Sequence, residues 1–207
     1  MMFYMSIIHN LEYFHSAHFI EDLPEDVGHE IAFAGRSNAG KSSAINTLAN
    51  HNRLAYVSKQ PGRTQLINFF QMRYGINNKI VDLPGYGYAK VNVNTKKHWD
   101  IVLPYYLQKR KSLIGLIIVM DIRHALTKLD EQMIEWFLPT QKPIHILLTK
   151  ADKLSRNQAQ KEVNKFTKKI EACNFNGNIT YQTFSSLKKT GLDDVEEIFL
   201  EWLPSLG

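Results

Sequence analysis

The chain has 207 residues, a formal net charge of +5 and one cysteine, Cys173. That length can bury a sizeable core in one domain and is short for two. A lone cysteine excludes an internal disulfide, and no apolar run approaches the ~20 residues of a membrane-spanning helix.

Residues 1–28 read as an extended arm ahead of the domain. The first eighteen residues are fairly apolar but carry no Lys or Arg, a poor match to a secretory signal, and Met2 and Met5 leave the start open. Leu11, Tyr13 and Phe14 are expected to pack on the core, and Leu23-Pro24 marks a turn. The apolar run Ile31-Ala32-Phe33-Ala34 then reads as a buried strand. It leads into Gly35-Arg36-Ser37-Asn38-Ala39-Gly40-Lys41-Ser42, which fits G-x-x-x-x-G-K-[ST], and a helical stretch from Ser43 to Leu48 follows. Strand, glycine turn and helix N-terminus together make an anion site, because successive N–H groups and the helix dipole point at phosphates. Lys41 is expected to reach the β- and γ-phosphates, and the Ser42 hydroxyl to bind Mg²⁺.

Residues 65–73 and 79–82 look like an antiparallel pair joined by a turn at 76–78. A helix over 95–111 places Trp99, Leu103, Tyr106 and Arg110 at helical spacing, with Pro104 inside it. Residues 113–120 and 144–148 are short apolar runs of the kind buried on both faces of a parallel sheet. Residues 130–138 are short and amphipathic. Ser155-Arg156-Asn157-Gln158 resembles a capping box that opens a helix to about Ala172. On that helix Val163, Phe166 and Ile170 share one face, and Lys161, Lys165 and Lys168 lie on the opposite one. Residues 179–184 are the last strand. Thr190-Gly191-Leu192-Asp193 opens a final helix whose Leu192, Val195, Phe199 and Trp202 face inward. Strands alternating with helices argue for one α/β domain over 29–207, with a mainly parallel six-stranded sheet and helices on both faces.

Charge is unevenly spread. Residues 1–30 hold six acids and no Lys or Arg, whereas residues 150–189 hold nine bases against Asp152, Glu162 and Glu171. A basic face for a polyanion and a merely solvated lysine face both fit this count. The eight histidines show no metal-binding spacing, so no zinc site is expected.

Ligands of such sheets sit outside the carboxyl ends of the strands. After Ile80-Val81 come Asp82-Leu83-Pro84-Gly85, where an acid can hold Mg²⁺ through water and the Gly85 N–H can approach a γ-phosphate. After Ile146-Leu147-Leu148 come Thr149-Lys150-Ala151-Asp152. An Asp here can accept the N1–H and N2–H₂ of guanine, a donor pair that adenine lacks, while the Lys150 stem covers the base. After Gln182-Thr183-Phe184 come Ser185-Ser186-Leu187-Lys188, a loop whose backbone could read guanine O6. Each pattern is weak alone; their order, each at a strand end, is strong.

These motifs resemble the ordered nucleotide motifs of small GTPases, with the Ras-like domain that this implies. Pro61-Gly62-Arg63-Thr64 fits the second of them, in which the threonine joins Mg²⁺. More narrowly, Gly35 to Ser42 with Ser43, Pro61-Gly62-Arg63-Thr64-Gln65, and Asp82-Leu83-Pro84-Gly85-Tyr86-Gly87-Tyr88-Ala89 resemble the EngB family. So do Asp121-Ile122-Arg123-His124 and Ser185-Ser186-Leu187-Lys188-Lys189-Thr190-Gly191. The resemblance runs from about residue 10 to residue 203 and places the chain in the TrmE–Era–EngA–EngB–septin class. It implies a cytoplasmic, monomeric GTP/GDP-binding protein that serves assembly of the large ribosomal subunit, with its ribosomal RNA, and normal cell division and septation. It also implies catalytic roles for Lys41, Thr64 and the Gly85 N–H, and loops at 53–64 and 84–95 that relax after hydrolysis. Tyr86 stands where many small GTPases place a water-orienting Gln, so slow intrinsic turnover is expected. Some relatives with a P-loop Asn bind K⁺ beside the phosphates. Asn38 occupies that place, and either a K⁺ ligand or a brace of the loop fits it. Arg63 fits an internal arginine finger or a solvated loop residue, and Asp121 with Arg123 fits a structural ion pair more readily than a catalytic one. An ATP-using P-loop enzyme, which Thr149-Lys150-Ala151-Asp152 argues against, and a switch with incidental hydrolysis are the rival readings.

Overall fold

The computed structural model describes residues 7–55, 66–73, 75–87 and 93–204. Among these the strands are β1 (Glu12–Ala17), β2 (His29–Gly35), β3 (Ile67–Gln71), β4 (Asn78–Asp82), β5 (Leu113–Asp121), β6 (Ile144–Thr149) and β7 (Ile179–Thr183). The helices are α1 (Lys41–Leu48), α2 (Val93–Lys109), α3 (Lys128–Phe137), α4 (Arg156–Ala172) and α5 (Leu192–Trp202). All strands join one sheet in the order β1-β3-β4-β2-β5-β6-β7. β4, β2, β5, β6 and β7 run parallel, and β3 pairs antiparallel with both β4 and β1.

The sheet thus has seven strands rather than the six expected, because Glu12–Ala17 adds to the free edge of β3, with Tyr13 opposite Phe70 and Ala17 opposite Ile67. The same pairing corrects the packing expected of that segment. Leu11 and Ala17 are buried, but a register shift between Tyr13 and His15 accompanies rings at Tyr13 and Phe14 that stay 63% and 50% exposed.

Side chains alternate across a strand, so a strand covered on both sides feeds two cores. Ile31 and Phe33 of β2 and Ile117 and Val119 of β5 point to one face, where α1 and α5 bring Ala44, Ile45, Leu48, Val195 and Phe199. Ala32, Ala34, Leu116, Ile118 and Met120 point to the other, against Trp99, Leu103 and Tyr106 of α2, Met133 and Phe137 of α3 and Phe166 of α4. Gly115 on β5 is what lets α5 close down: a Cβ there would stand 2.2 Å from the Trp202 ring.

Helix boundaries follow their caps. Ser155 caps α4 and its box with Gln158 is formed, as the spacing predicts. α3 begins two residues earlier than its amphipathic pattern suggests, because Thr127 is its cap and Asp130 closes a capping box with it. Just beyond α2, Arg110 is buried and donates to both carboxylate oxygens of fully buried Glu30, at 3.0 and 2.7 Å, with Tyr106 adding a third bond. This network lies at the amino ends of the parallel strands, away from the loops described next.

Candidate nucleotide site

Three sharp turns leave the carboxyl ends of β2, β4 and β6, and a fourth leaves β7. The first is the glycine loop. Asn38 and Gly40 take positive φ, 63° and 102°, which curls the chain before α1. A side chain is strained at Gly40 on that ground alone, and its surroundings are Thr149 and Lys150. Ser37 Oγ is buried with no hydrogen-bond partner among the described residues. An orphan hydroxyl in such a loop suits a phosphate or water ligand.

The loop after β4 lies along this turn. Ser37 N–H donates to the Tyr86 carbonyl at 2.8 Å, and Tyr86 N–H to the Gly35 carbonyl at 3.3 Å. Gly85 rests against the glycine loop, its missing Cβ only 3.6 Å from Ser37. Asp82 is nearly buried at the end of β4, and the Lys41 ammonium donates to it. The Asp82 carboxylate and the hydroxyl of Ser42, next to Lys41 in the chain, are hard oxygen donors of the kind that suit Mg²⁺, an ion that takes its other oxygens from phosphates and water.

The third loop follows β6. The Thr149 hydroxyl donates to the carbonyls of Ala39 and Met120, tying β6 to the glycine loop. Lys150 adopts φ 61° and sends its ammonium to the Asn38 carbonyl at 2.6 Å and to Asp121 at 3.1 Å. Asp121 in turn receives two bonds from the Arg123 guanidinium, at 2.9 and 2.6 Å. Burial pushes the Asp121 carboxyl up, but the bonds from Arg123 and Lys150 outweigh it and hold the group well below the ordinary carboxylate range. The pair that reads as structural in the sequence is therefore wired to Lys150.

Asp152 meets the fourth loop. The Ser185 hydroxyl donates to its Oδ1 at 2.7 Å, and Lys153 stands 3.3 Å from Oδ2. The Ser185 bond, more than Lys153, holds the Asp152 carboxyl below its usual range. Ala151 N–H donates to the Phe184 carbonyl, so the two loops are stitched together.

The sequence-predicted residues are not equal partners in this cleft. Lys41, Ser42, Asp82, Gly85, Thr149, Lys150, Asp152, Ser185 and Ser186 belong to the gathered loops. Ala39, Leu83 and Phe184 bury their side chains in the core and leave only backbone to the cleft. Arg36 turns its guanidinium away, to the His124 carbonyl at 3.3 Å and toward Asp130 at 3.7 Å. Pro61, Gly62, Arg63 and Thr64 lie outside the described residues, as do residues 88–92 of the other loop expected to move. Sequence reasoning missed Asp130, which is fully buried and accepts the Tyr86 hydroxyl at 2.9 Å. Thr127-Lys128-Leu129-Asp130 has the spacing of a capping box, the one local signal available.

Comparison with known proteins agrees with this geometry. A family model described as a 50S ribosome-binding GTPase matches residues 30–150. The probable GTP-binding protein EngB of Methylobacillus flagellatus is 56% identical over 199 residues, 96% of this chain and 94% of the relative. That of Neisseria meningitidis serogroup B is 52% identical over 199 residues, again 96% and 94%. A solved structure of a probable GTP-binding protein EngB superposes with a TM-score of 0.60 at 19% identity, covering 84% of this chain and 98% of that one. A variant of Aquifex aeolicus Era bound to GDP and AlF4⁻ gives 0.65 at 21% identity, covering 86% and 57%. Those two structural likenesses speak for the P-loop GTPase fold; the sequence identities carry the assignment further, and the chain belongs to the EngB family of GTP-binding proteins, which are P-loop GTPases.

Proposed function

We propose that this GTPase acts as a switch in assembly of the large ribosomal subunit, with Mg²⁺ as its metal, slow intrinsic turnover and a role in normal cell division. The observation that carries the chemical part is that Lys41, Asp82, Gly85 and Asp152 stand on adjoining loops at the carboxyl ends of β2, β4 and β6, which Thr149 and Lys150 tie together through bonds to the glycine loop. The ribosomal part is supported by the description of the matched family model. A cytoplasmic monomer is the accompanying reading; among the described residues no helix is long and apolar enough to cross a membrane.

In this reading the reaction needs positioning and charge neutralisation more than covalent help from the protein. The amides of Gly35 to Ser43 cradle the phosphates, and Lys41 exchanges its bond to Asp82 for the β- and γ-oxygens. Ser42 and Asp82, with Thr64, would hold Mg²⁺, which supplies positive charge to the phosphates. The Gly85 N–H senses the γ-phosphate. Asp152 accepts from the guanine edge, Lys150 covers the base, and Ser185 holds the Asp152 carboxylate in place. Pro61, Gly62 and Arg63 complete the nucleotide contacts around Thr64. Asp152 also disfavours the ATP-using alternative, so ATP should compete poorly for GTP.

Sedimentation with ribosomal subunits in GTP-analogue, GDP and nucleotide-free states tests the switch, alongside GTP turnover with and without subunits. Preferential co-sedimentation of the GTP-analogue state with the large subunit is expected. Identical sedimentation in all three states would remove the switch, and absent turnover would remove the enzyme.

A further inference from the structure

The buried Asp130 has no part in the chemistry just described, yet it joins three elements of the cleft. Its Oδ2 accepts from the Thr127 N–H and hydroxyl, each at 2.8 Å, and so closes the cap of α3. Its Oδ1 accepts from the Tyr86 hydroxyl at 2.9 Å, and the Arg36 guanidinium stands 3.7 Å from Oδ2. Tyr86 is held at its other end by two backbone bonds to the glycine loop, at Ser37 and Gly35. Gly85, next to it in sequence, is thereby fixed from both sides: by the glycine loop through the backbone, and by α3 through a phenol. Leu129 of α3 also packs close to Gly87, where a Cβ would stand 3.1 Å from it.

We propose that Asp130 is a positioning residue for GTP hydrolysis, holding the Gly85 N–H in place against the γ-phosphate by anchoring the Tyr86 hydroxyl. This rests on the GTPase reading above. The physical reason is that a buried carboxylate oxygen left without its donor is costly, so Asp130 holds the phenol strongly. A backbone N–H aimed at developing charge loses its effect when displaced by a fraction of an ångström to an ångström. Burial and the adjacent carboxylate also push the Tyr86 phenol well above its ordinary value, so it stays a donor across the physiological range. The residue at the place of a water-orienting Gln thus serves as an anchor and does not itself reach the attacking water.

The test is Tyr86→Phe, which keeps the ring and removes one hydroxyl, with Asp130→Asn and the double variant beside it. GDP has no γ-phosphate, so GDP affinity reads the rest of the site. Expected for Tyr86→Phe is a loss of about tenfold in kcat and in the ratio of GTP-analogue to GDP affinity, with GDP affinity held within about twofold. Asp130→Asn weakens the same contact and also disturbs the Thr127 cap, so it should lose at least a similar factor, and adding Tyr86→Phe to it should cost little more. An unchanged affinity ratio in Tyr86→Phe, or additive losses in the double variant, overturns the proposal. So does an equal loss of GDP affinity, which would mean general loosening of the site. The affinity ratio is read by binding alone, so absence of turnover in the unmodified protein, which would end the enzymatic reading, is distinguished from failure of the anchor. If Asp130→Asn does not fold, Tyr86→Phe alone decides.

Discussion

At Asp152 one carboxylate oxygen is already bonded to Ser185, and the other stands 3.3 Å from the Lys153 ammonium. Because the Ser185 bond depresses its pKa, the group stays ionised even within the ordinary carboxylate range. If it accepts the guanine edge as proposed, that bond would be lost only as pH falls through the lowered value. Asp152→Asn replaces an acceptor by a donor and should favour xanthine, whose exocyclic oxygen stands in place of guanine's amino group. Guanine binding should fall by roughly 2–5 kcal/mol. Measured GTP and XTP affinities check this, and an Asn variant that still prefers GTP would mean that another residue reads the base. Asn38 poses a different question. Its φ is 63° and its carbonyl accepts from Lys150, so the backbone braces the loop while the side chain is exposed. A K⁺ held by that side chain would add charge beside the phosphates. Hydrolysis should then be faster in K⁺ than in Na⁺ at equal ionic strength, with Asn38→Ala removing the difference; equal rates in the two salts would dispose of the ion. Asp152 and Asn38 stand out in the sequence because each sits in a contiguous motif. Asp130 does not, because its partner Tyr86 lies 44 residues away.

At the scale of elements, how closely α5 can approach β5 depends on one missing Cβ. Trp202 occupies the space over Gly115, with a ring atom 2.2 Å from where a Cβ would stand. Gly115→Ala must therefore shift the indole or the helix, an overpacking cost of about 1–3 kcal/mol. Denaturant unfolding should show a lower midpoint at unchanged slope, and an unchanged midpoint would mean that α5 moves freely. Helix α4 was the most legible element. Its Ser155–Gln158 box and its Val163, Phe166 and Ile170 stripe are both local patterns, and both are present. The opening strand was the least legible. Whether Glu12–Ala17 lies free or pairs depends on an edge of β3 supplied fifty or more residues later.

Across the whole molecule, the acids of the opening segment and the bases of 150–189 reach different places. Lys161, Lys165 and Lys168 are exposed on α4, away from its buried Phe166, and among the described residues Lys165 has Glu162 as its ionic partner at 3.5 Å. A phosphate backbone docked on such a face would release counterions and bind with a steep salt dependence. Changing the three lysines to Glu should weaken binding to ribosomal subunits and flatten the dependence of log affinity on log salt. Retention of both affinity and slope would leave the stripe as a solvated face.

Strand alternation, helix caps and the four motif runs follow from covalent spacing, with periods of two and 3.6 residues, and the sequence alone determined them. It therefore determined an α/β sheet with nucleotide-binding loops at its carboxyl ends. Which distant groups meet was decided only when the elements docked. Arg110 shares helical spacing with Trp99, Leu103 and Tyr106, yet nothing near it in the chain says that it is 7% exposed. A buried guanidinium requires a carboxylate, and the one that α2 reaches is Glu30, 80 residues away at the start of β2. The seventh strand, the bond from Tyr86 to Asp130 and the tie from Asp121 to Lys150 share that origin: each joins groups far apart in the sequence that only packing brings within hydrogen-bonding distance.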